Sequence, residues 1–215
     1  MYAAIHRVPN AASPALLDIA GCPLVVRQLE WLFAAGCARV FIEVKPDDLG
    51  ASIASTVASS FHVSEPEGPG DVVVVETEDP LGARSVALLG GLTMTEPVLA
   101  IPADFLGDGE LLALYQSSNS FGTVAIFEPP PPLRASLAGG TVRLVRAQLR
   151  KRNPTIGIGV GWGVRVRTPS EAAVLSSAVL RGILPLRSDE HPYPIAVTMH
   201  SGMWGSRPQP ESSTG

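Results

Sequence analysis

Three short stretches hold the residues whose types and spacing could do chemistry. In "PVLAIPAD" (97 to 104) a continuous apolar run ends in Asp104, and a carboxylate at the carboxyl end of a buried strand faces the crevice where an α/β sheet keeps its sites. The same carboxylate could instead cap a following helix. In "ETEDPLGARS" (76 to 85) Gly82 opens a helix, and the amides there could meet an anion or a base edge or belong to a plain loop. Arg84 is the cation of that stretch, either a phosphate ligand or a solvated side chain. "GIGVGWG" (157 to 163) looks like a dinucleotide glycine fingerprint, but that fingerprint needs a helix after it and here "VRVR" follows. A glycine-rich strand, with Gly163 lying against a ligand or a neighbouring backbone, fits better, and simple tight packing better still.

Other chemistries find no support. The sequence has no Walker loop, nucleophile elbow or cysteine-pair zinc site, and His6, His62, His191 and His200 have no metal-ligand spacing. Cys22 and Cys37 stand at the two ends of one expected helix, about 20 Å apart at 1.5 Å per residue, so they are read as reduced, buried packing residues.

These stretches need elements to position them. With 215 residues, 46% of them hydrophobic, the chain can fill one core. Strands are expected at "YAAIHRV", "RVFIEV" (39 to 44), "DVVVVETED" (71 to 79), "PVLAIPAD" and "FGTVAIFE" (121 to 128). Helices alternate with them at "CPLVVRQLEWLFAAG", "DDLGASIASTVASSF", "GARSVALLGGL" and "GDGELLALYQSS". In the first helix Val25, Leu29, Leu32 and Phe33 share the apolar face, with Arg27, Gln28 and Glu30 elsewhere. Such alternation predicts a three-layer α/β fold with a mixed, mainly parallel sheet. The second part, with the proline-rich "EPPPPLRASLAGG", an exposed-looking strand "TVRLVRAQLRK" and the helix "SEAAVLSSAVLRG", predicts a small antiparallel extension and a capping helix. Residues 1–205 are expected to form one domain, and 206–215 a disordered tail.

A net charge of −4 and the lack of a long basic run speak against nucleic acid or an anionic membrane as partner. No apolar run approaches a bilayer-spanning length and the start lacks a leader pattern, so a cytoplasmic location is expected.

The order of the pieces resembles the sugar-1-phosphate nucleotidylyltransferases, with their nucleotide-diphospho-sugar transferase fold, over most of residues 2 to 205. "PALLDIAGCPLVVRQLEWLFAAGCARVFIEV" is similar to that family's proline-led turn, apolar segment, Gly-x-Pro-Leu helix start and next strand. "EDPLGARSVALLGGL" is similar to its nucleotide-facing loop, "EPVLAIPADFLGDGELLALYQ" to its strand ending in Gly-Asp, and "GWGVRVRTPSEAAVL" to its Ala-Gly-Ile-Tyr-type strand and helix. The resemblance implies a nucleotide or nucleotide-sugar site at Gly82, Arg84 and Gly163, and magnesium at Asp104. It also implies attack of a sugar phosphate on the α-phosphorus of a nucleoside triphosphate, with release of pyrophosphate.

The catalytic parts of that pattern are thin here. The connection "PNAASPALL" is short and contains no glycine, and Pro14 falls where the family has a lysine. The chain's two lysines, Lys45 and Lys151, lie elsewhere, and Gly205 and Ser206 stand where a second metal aspartate would follow Trp204. The expectation is a diverged, degenerate member. It would act as a regulatory or nucleotide-sugar-binding subunit, as a homo-oligomer or as partner of another protein. An active nucleotidylyltransferase with a rearranged site is the alternative, and a protein-interaction scaffold docking through "PPPP" or "TVRLVRAQLR" a further one.

Overall fold

The computed structural model describes residues 1–8, 14–63, 71–93, 96–109, 111, 123–145, 155–158 and 161–184. The apolar runs of the first half form parallel strands: β1 (Tyr2–His6), β4 (Arg39–Val44), β5 (Val72–Glu76) and β6 (Val98–Pro102), with a two-residue hairpin of β2 (Asp18–Ile19) and β3 (Cys22–Pro23) between the first two. After β6 come β7 (Phe105–Gly109), β8 (Thr123–Phe127), β9 (Gly140–Val145), β10 (Thr155–Ile158) and β11 (Gly161–Arg165). The helices whose bounds lie among the described residues are α1 (Leu24–Ala34), α2 (Asp48–Ala58), α3 (Ala83–Leu89) and α4 (Pro169–Leu180).

Seven strands make the central sheet, in the order β10-β8-β9-β6-β1-β4-β5. All are parallel except β9, which runs antiparallel to β6 on one side and β8 on the other. Strand alternation sends Ala3, Ile5, Val40, Ile42, Leu99 and Ile101 to one face, where α1 and α2 pack. Ala4, Phe41, Val73, Val75, Val98 and Ala100 go to the other, under α3. Both faces are covered, which is why these strands read as unbroken apolar runs. A two-stranded antiparallel sheet of β7 and β11 carries α4 beside this core, through a cluster that includes Leu106, Val164, Val166 and Leu175. The three-layer, mainly parallel architecture with a small antiparallel extension is thus present.

Five local expectations change. "FLGDG", whose last three residues were assigned to a helix start, is strand β7, because Phe105 and Leu106 are buried against β11 and α1. The rest of that expected helix, apart from Leu111, lies outside the described residues, as does the tail at 206–215. The "TVRLV" strand is interior: Val142 and Leu144 are buried in β9 and both of its edges are paired, so it offers no free edge for docking. In the proline run only Pro131 and Pro132 are exposed, in a short 3-10 turn whose Leu133 is buried. Gln28 joins the buried side of α1, with no exposed surface, whereas Cys22 is only half-buried. Cys37 is buried, and burial pushes its thiol up to about 12. Among the described residues no helix is long and apolar enough to cross a membrane.

The hairpin turn joining β2 to β3 places Ala20 at φ 54° and Gly21 at φ 83°. Two consecutive positive φ angles suit Asn-Gly, and a non-glycine residue without a short polar side chain is strained there by about 1 kcal/mol. Ala20→Asn is therefore expected to raise the denaturation midpoint by an amount equivalent to about 0.5–1 kcal/mol, checked by urea titration.

Candidate functional site

The carboxyl ends of the parallel strands hold two buried carboxylates, one on each side of β1. Glu43, the next-to-last residue of β4, has almost no exposed surface. Its Oε2 accepts from the Arg7 backbone N–H at 2.8 Å, and its Oε1 from the Leu81 N–H at 2.6 Å and the Thr77 hydroxyl at 3.1 Å. Arg7 reaches across to donate from Nη2 to the Thr77 carbonyl at 2.8 Å, while its Nε lies 3.6 Å from Glu43. One carboxylate therefore ties the chain leaving β1 to the loop between β5 and α3. A buried charge is stable only when paired and hydrogen-bonded, and this one is both.

Asp104 lies two residues beyond β6, in the tight turn to β7, and is wholly buried. No helix follows the turn, so Asp104 caps none. Its Oδ2 pairs with Arg165 Nη2 at 2.5 Å and with Arg167 Nε at 2.8 Å. Its own carbonyl accepts from the Val166 N–H at 2.7 Å, so side chain and backbone together grip the three residues that end β11 and lead to α4. The turn is held from below as well: Gln28 of α1 donates to the carbonyls of Pro102 at 3.1 Å and Phe105 at 2.6 Å. Ala103 N–H bonds the His6 carbonyl at 2.9 Å, which joins this turn to the end of β1. Burial, more than any charge nearby, lowers the pKa of His6, with Arg165 and Arg143 pushing the same way and Glu43 opposing.

The other expected site residues fall in different places. Gly82 precedes α3 at the crevice side, and a Cβ there would meet nothing within 4 Å. Arg84 turns away to the loop before β6, donating to the carbonyls of Glu96 and, at 2.5 Å, Thr93. Gly163 packs: a Cβ would come within 2.6 Å of Phe127 Cβ and closer still to the Phe105 ring. Phe105 itself, directly after Asp104, packs between Trp31 and Phe127 in tilted ring contacts, each with centroids 5.7 Å apart. Through the Phe105 ring the structure thus brings Gly163 near Asp104, while Gly82 lies apart, at the start of α3. Glu43, Arg165 and Arg167 were not singled out from the sequence. Glu43 was legible as an acid inside an apolar strand, whereas the two arginines follow only from the pairing of β7 with β11.

The residues present do not fit a magnesium ion at Asp104. Hard cations want several oxygen ligands, but Oδ2 is occupied by two guanidinium groups and the carboxylate has no exposed surface. Its Oδ1 has no hydrogen-bond partner among the described residues, and these include no group of three or more His, Cys, Asp or Glu able to surround an ion.

Sheet order, crevice and extension together define the nucleotidyltransferase fold. The structure is similar to HddC from Yersinia pseudotuberculosis, with a TM-score of 0.57 and 10% identity over 82% of this chain and 97% of that one. It is likewise similar to a 4-diphosphocytidyl-2C-methyl-D-erythritol synthase from Anaerococcus prevotii, with a TM-score of 0.57 and 11% identity over 84% and 98%. A nucleoside-diphosphate-sugar pyrophosphorylase from Vibrio cholerae aligns with a TM-score of 0.51 and 12% identity over 82% and 100%. No family model matches the sequence, and no curated protein matches it significantly.

Removing one member of a buried ion pair strands the other, at about 3–5 kcal/mol when both are buried. With Arg167 half in solvent, Asp104→Asn is expected to cost about 3 kcal/mol, measured by urea denaturation; a change below about 1 kcal/mol would show that the pairs are ornamental. Overpacking predicts that Gly163→Ala loses about 1–3 kcal/mol, while Gly82→Ala stays within about 1 kcal/mol, both read from the same titration.

Proposed function

We propose that the chain is a nucleotidyltransferase-like domain that binds a nucleotide or nucleotide sugar without transferring it, and that it serves as a regulatory subunit, in a homo-oligomer or with another protein. The observation that carries this reading is Asp104: the carboxylate expected to hold the catalytic metal is buried under Arg165 and Arg167. The glycine-free connection after β1 and Pro14 at the lysine position point the same way. A related structure supports the ligand class, since HddC has been seen in complex with GMP-PN. The ligand would lie over the open side of Gly82 and toward Arg7 and Arg167, with Gly163 shaping the wall behind and Arg84 bracing the loop that follows α3.

The second reading, an active nucleotidylyltransferase with a rearranged site, is favoured by the arginines themselves. Arg7, Arg165 and Arg167 at the strand ends could offset some charge of a triphosphate.

Calorimetry with nucleoside triphosphates and nucleotide-diphosphate sugars, with and without magnesium, separates the readings when paired with a pyrophosphate-release assay. The expected outcome is binding of a nucleotide or nucleotide sugar with no pyrophosphate release from any triphosphate and sugar 1-phosphate pair. Turnover above background would establish the rearranged enzyme. Silence toward every nucleotide would leave the scaffold.

A further inference from the structure

The two guanidinium groups on Asp104 stand where a divalent cation would otherwise supply positive charge. We propose that the crevice beside Asp104 is a divalent-cation-independent site for a diphosphate group, gripped by Arg167 and backed by Arg165. This deepens the nucleotide-ligand reading and rests on it for the rest of the ligand.

Arg167 carries the argument. Its Nε is fixed on Asp104 Oδ2 at 2.8 Å, yet its side chain is 53% exposed. Its two terminal amino groups have no hydrogen-bond partner among the described residues. A guanidinium whose plane is already set by one bond presents its remaining donors at little entropic cost, in the fork that matches phosphate oxygens. Arg165, 16% exposed and paired to the same oxygen, adds a second positive charge immediately behind. Arg143 extends the field: it is exposed on β9 opposite Ala100 of β6, while His6 is opposite Pro102 of the same strand. The push of both Arg143 and Arg165 on His6 agrees with that placement.

The local charge runs against the charge of the whole. The chain carries −4 overall, but around the ends of β1 and β6 the four guanidinium groups of Arg7, Arg143, Arg165 and Arg167 stand, among the described residues, with the three carboxylates of Glu43, Asp104 and Glu171. All three carboxylates are already engaged by guanidinium or amide donors, Glu171 by the Arg167 and Thr168 N–H groups. What such a place attracts is an anion, and a metal ion brought there would meet the arginines first. The role usually given to a bound cation, neutralising a diphosphate, is thereby met by side chains.

The test is isothermal calorimetry with inorganic pyrophosphate, in EDTA and again in excess magnesium, on the full chain and on Arg167→Gln. Arg134→Gln, at an exposed ion pair with Glu128, is the control for general loss of positive charge. The unmodified protein is expected to bind pyrophosphate in EDTA, Arg167→Gln to bind about tenfold more weakly, and Arg134→Gln to bind unchanged. If Arg167→Gln fails to fold, Arg167→Lys, which keeps the charge and loses the fork, is expected to weaken binding as well. Heat that appears only with magnesium, no heat at all, or equal loss in both glutamine variants overturns the proposal. The two readings fail separately. A nucleotide sugar that binds only with magnesium leaves the functional reading standing and removes this one. Pyrophosphate that binds in EDTA while no nucleotide binds does the reverse.

Discussion

A carboxylate with no exposed surface must be answered by charge or hydrogen bonds within the protein, and at Asp104 the answer organises the antiparallel extension. Its two arginines belong to the end of β11 and the lead into α4, far along the chain, so satisfying one charge docks the antiparallel extension onto the parallel sheet. The rest of the turn follows from that demand. Phe105 must sit under β11, and Gly140 and Gly163 have no side chain because the Phe105 ring fills the space. Gln28, an amide on an otherwise apolar helical face, exists there to meet two carbonyls that the turn leaves without strand partners.

Glu43 does the corresponding work on the other side of β1, and the comparison of the two is instructive. Glu43 takes most of its bonds from backbone amides, so it fixes loop shape; Asp104 takes its side-chain bonds from guanidinium groups, so it fixes charge. Between them they fix the loop after β5 and the turn after β6 to the chain around the end of β1.

How much of this was legible in the sequence depended on range. β1, β4, β5, β6, α1 and α4 were readable because period and stop signals are local: the unbroken apolar runs of the strands, Pro23 before α1 and Gly36 at φ 90° after it. β7 was missed because "FLGDG" has the composition of a turn, and only its distant partner β11 makes it a strand. β9 was misjudged because the exposed Arg143 between buried Val142 and Leu144 reads as an edge, although position in a sheet is set by its neighbours. Gln28 was placed outside the core because an apolar-face reading has no term for a polar side chain with buried partners. For the site, Asp104 was found by its position at a strand end, while its chemistry was not, since that depends on the contact between residues 104 and 165–167.

That contact also decides what Asp104 can hold. A carboxylate that holds magnesium must keep some solvent access, because the ion retains waters and has to find its site in the folded protein. A carboxylate paired with guanidinium groups has the opposite requirement, since water would weaken the pairs that offset its burial. Asp104 meets the second requirement and cannot meet the first without uncovering itself, which would undo the docking of β11. A metal-dependent centre at Asp104 would therefore need the extension to be held some other way. The arginine arrangement is built into the packing, and any ligand chemistry at this crevice has to start from fixed positive side chains.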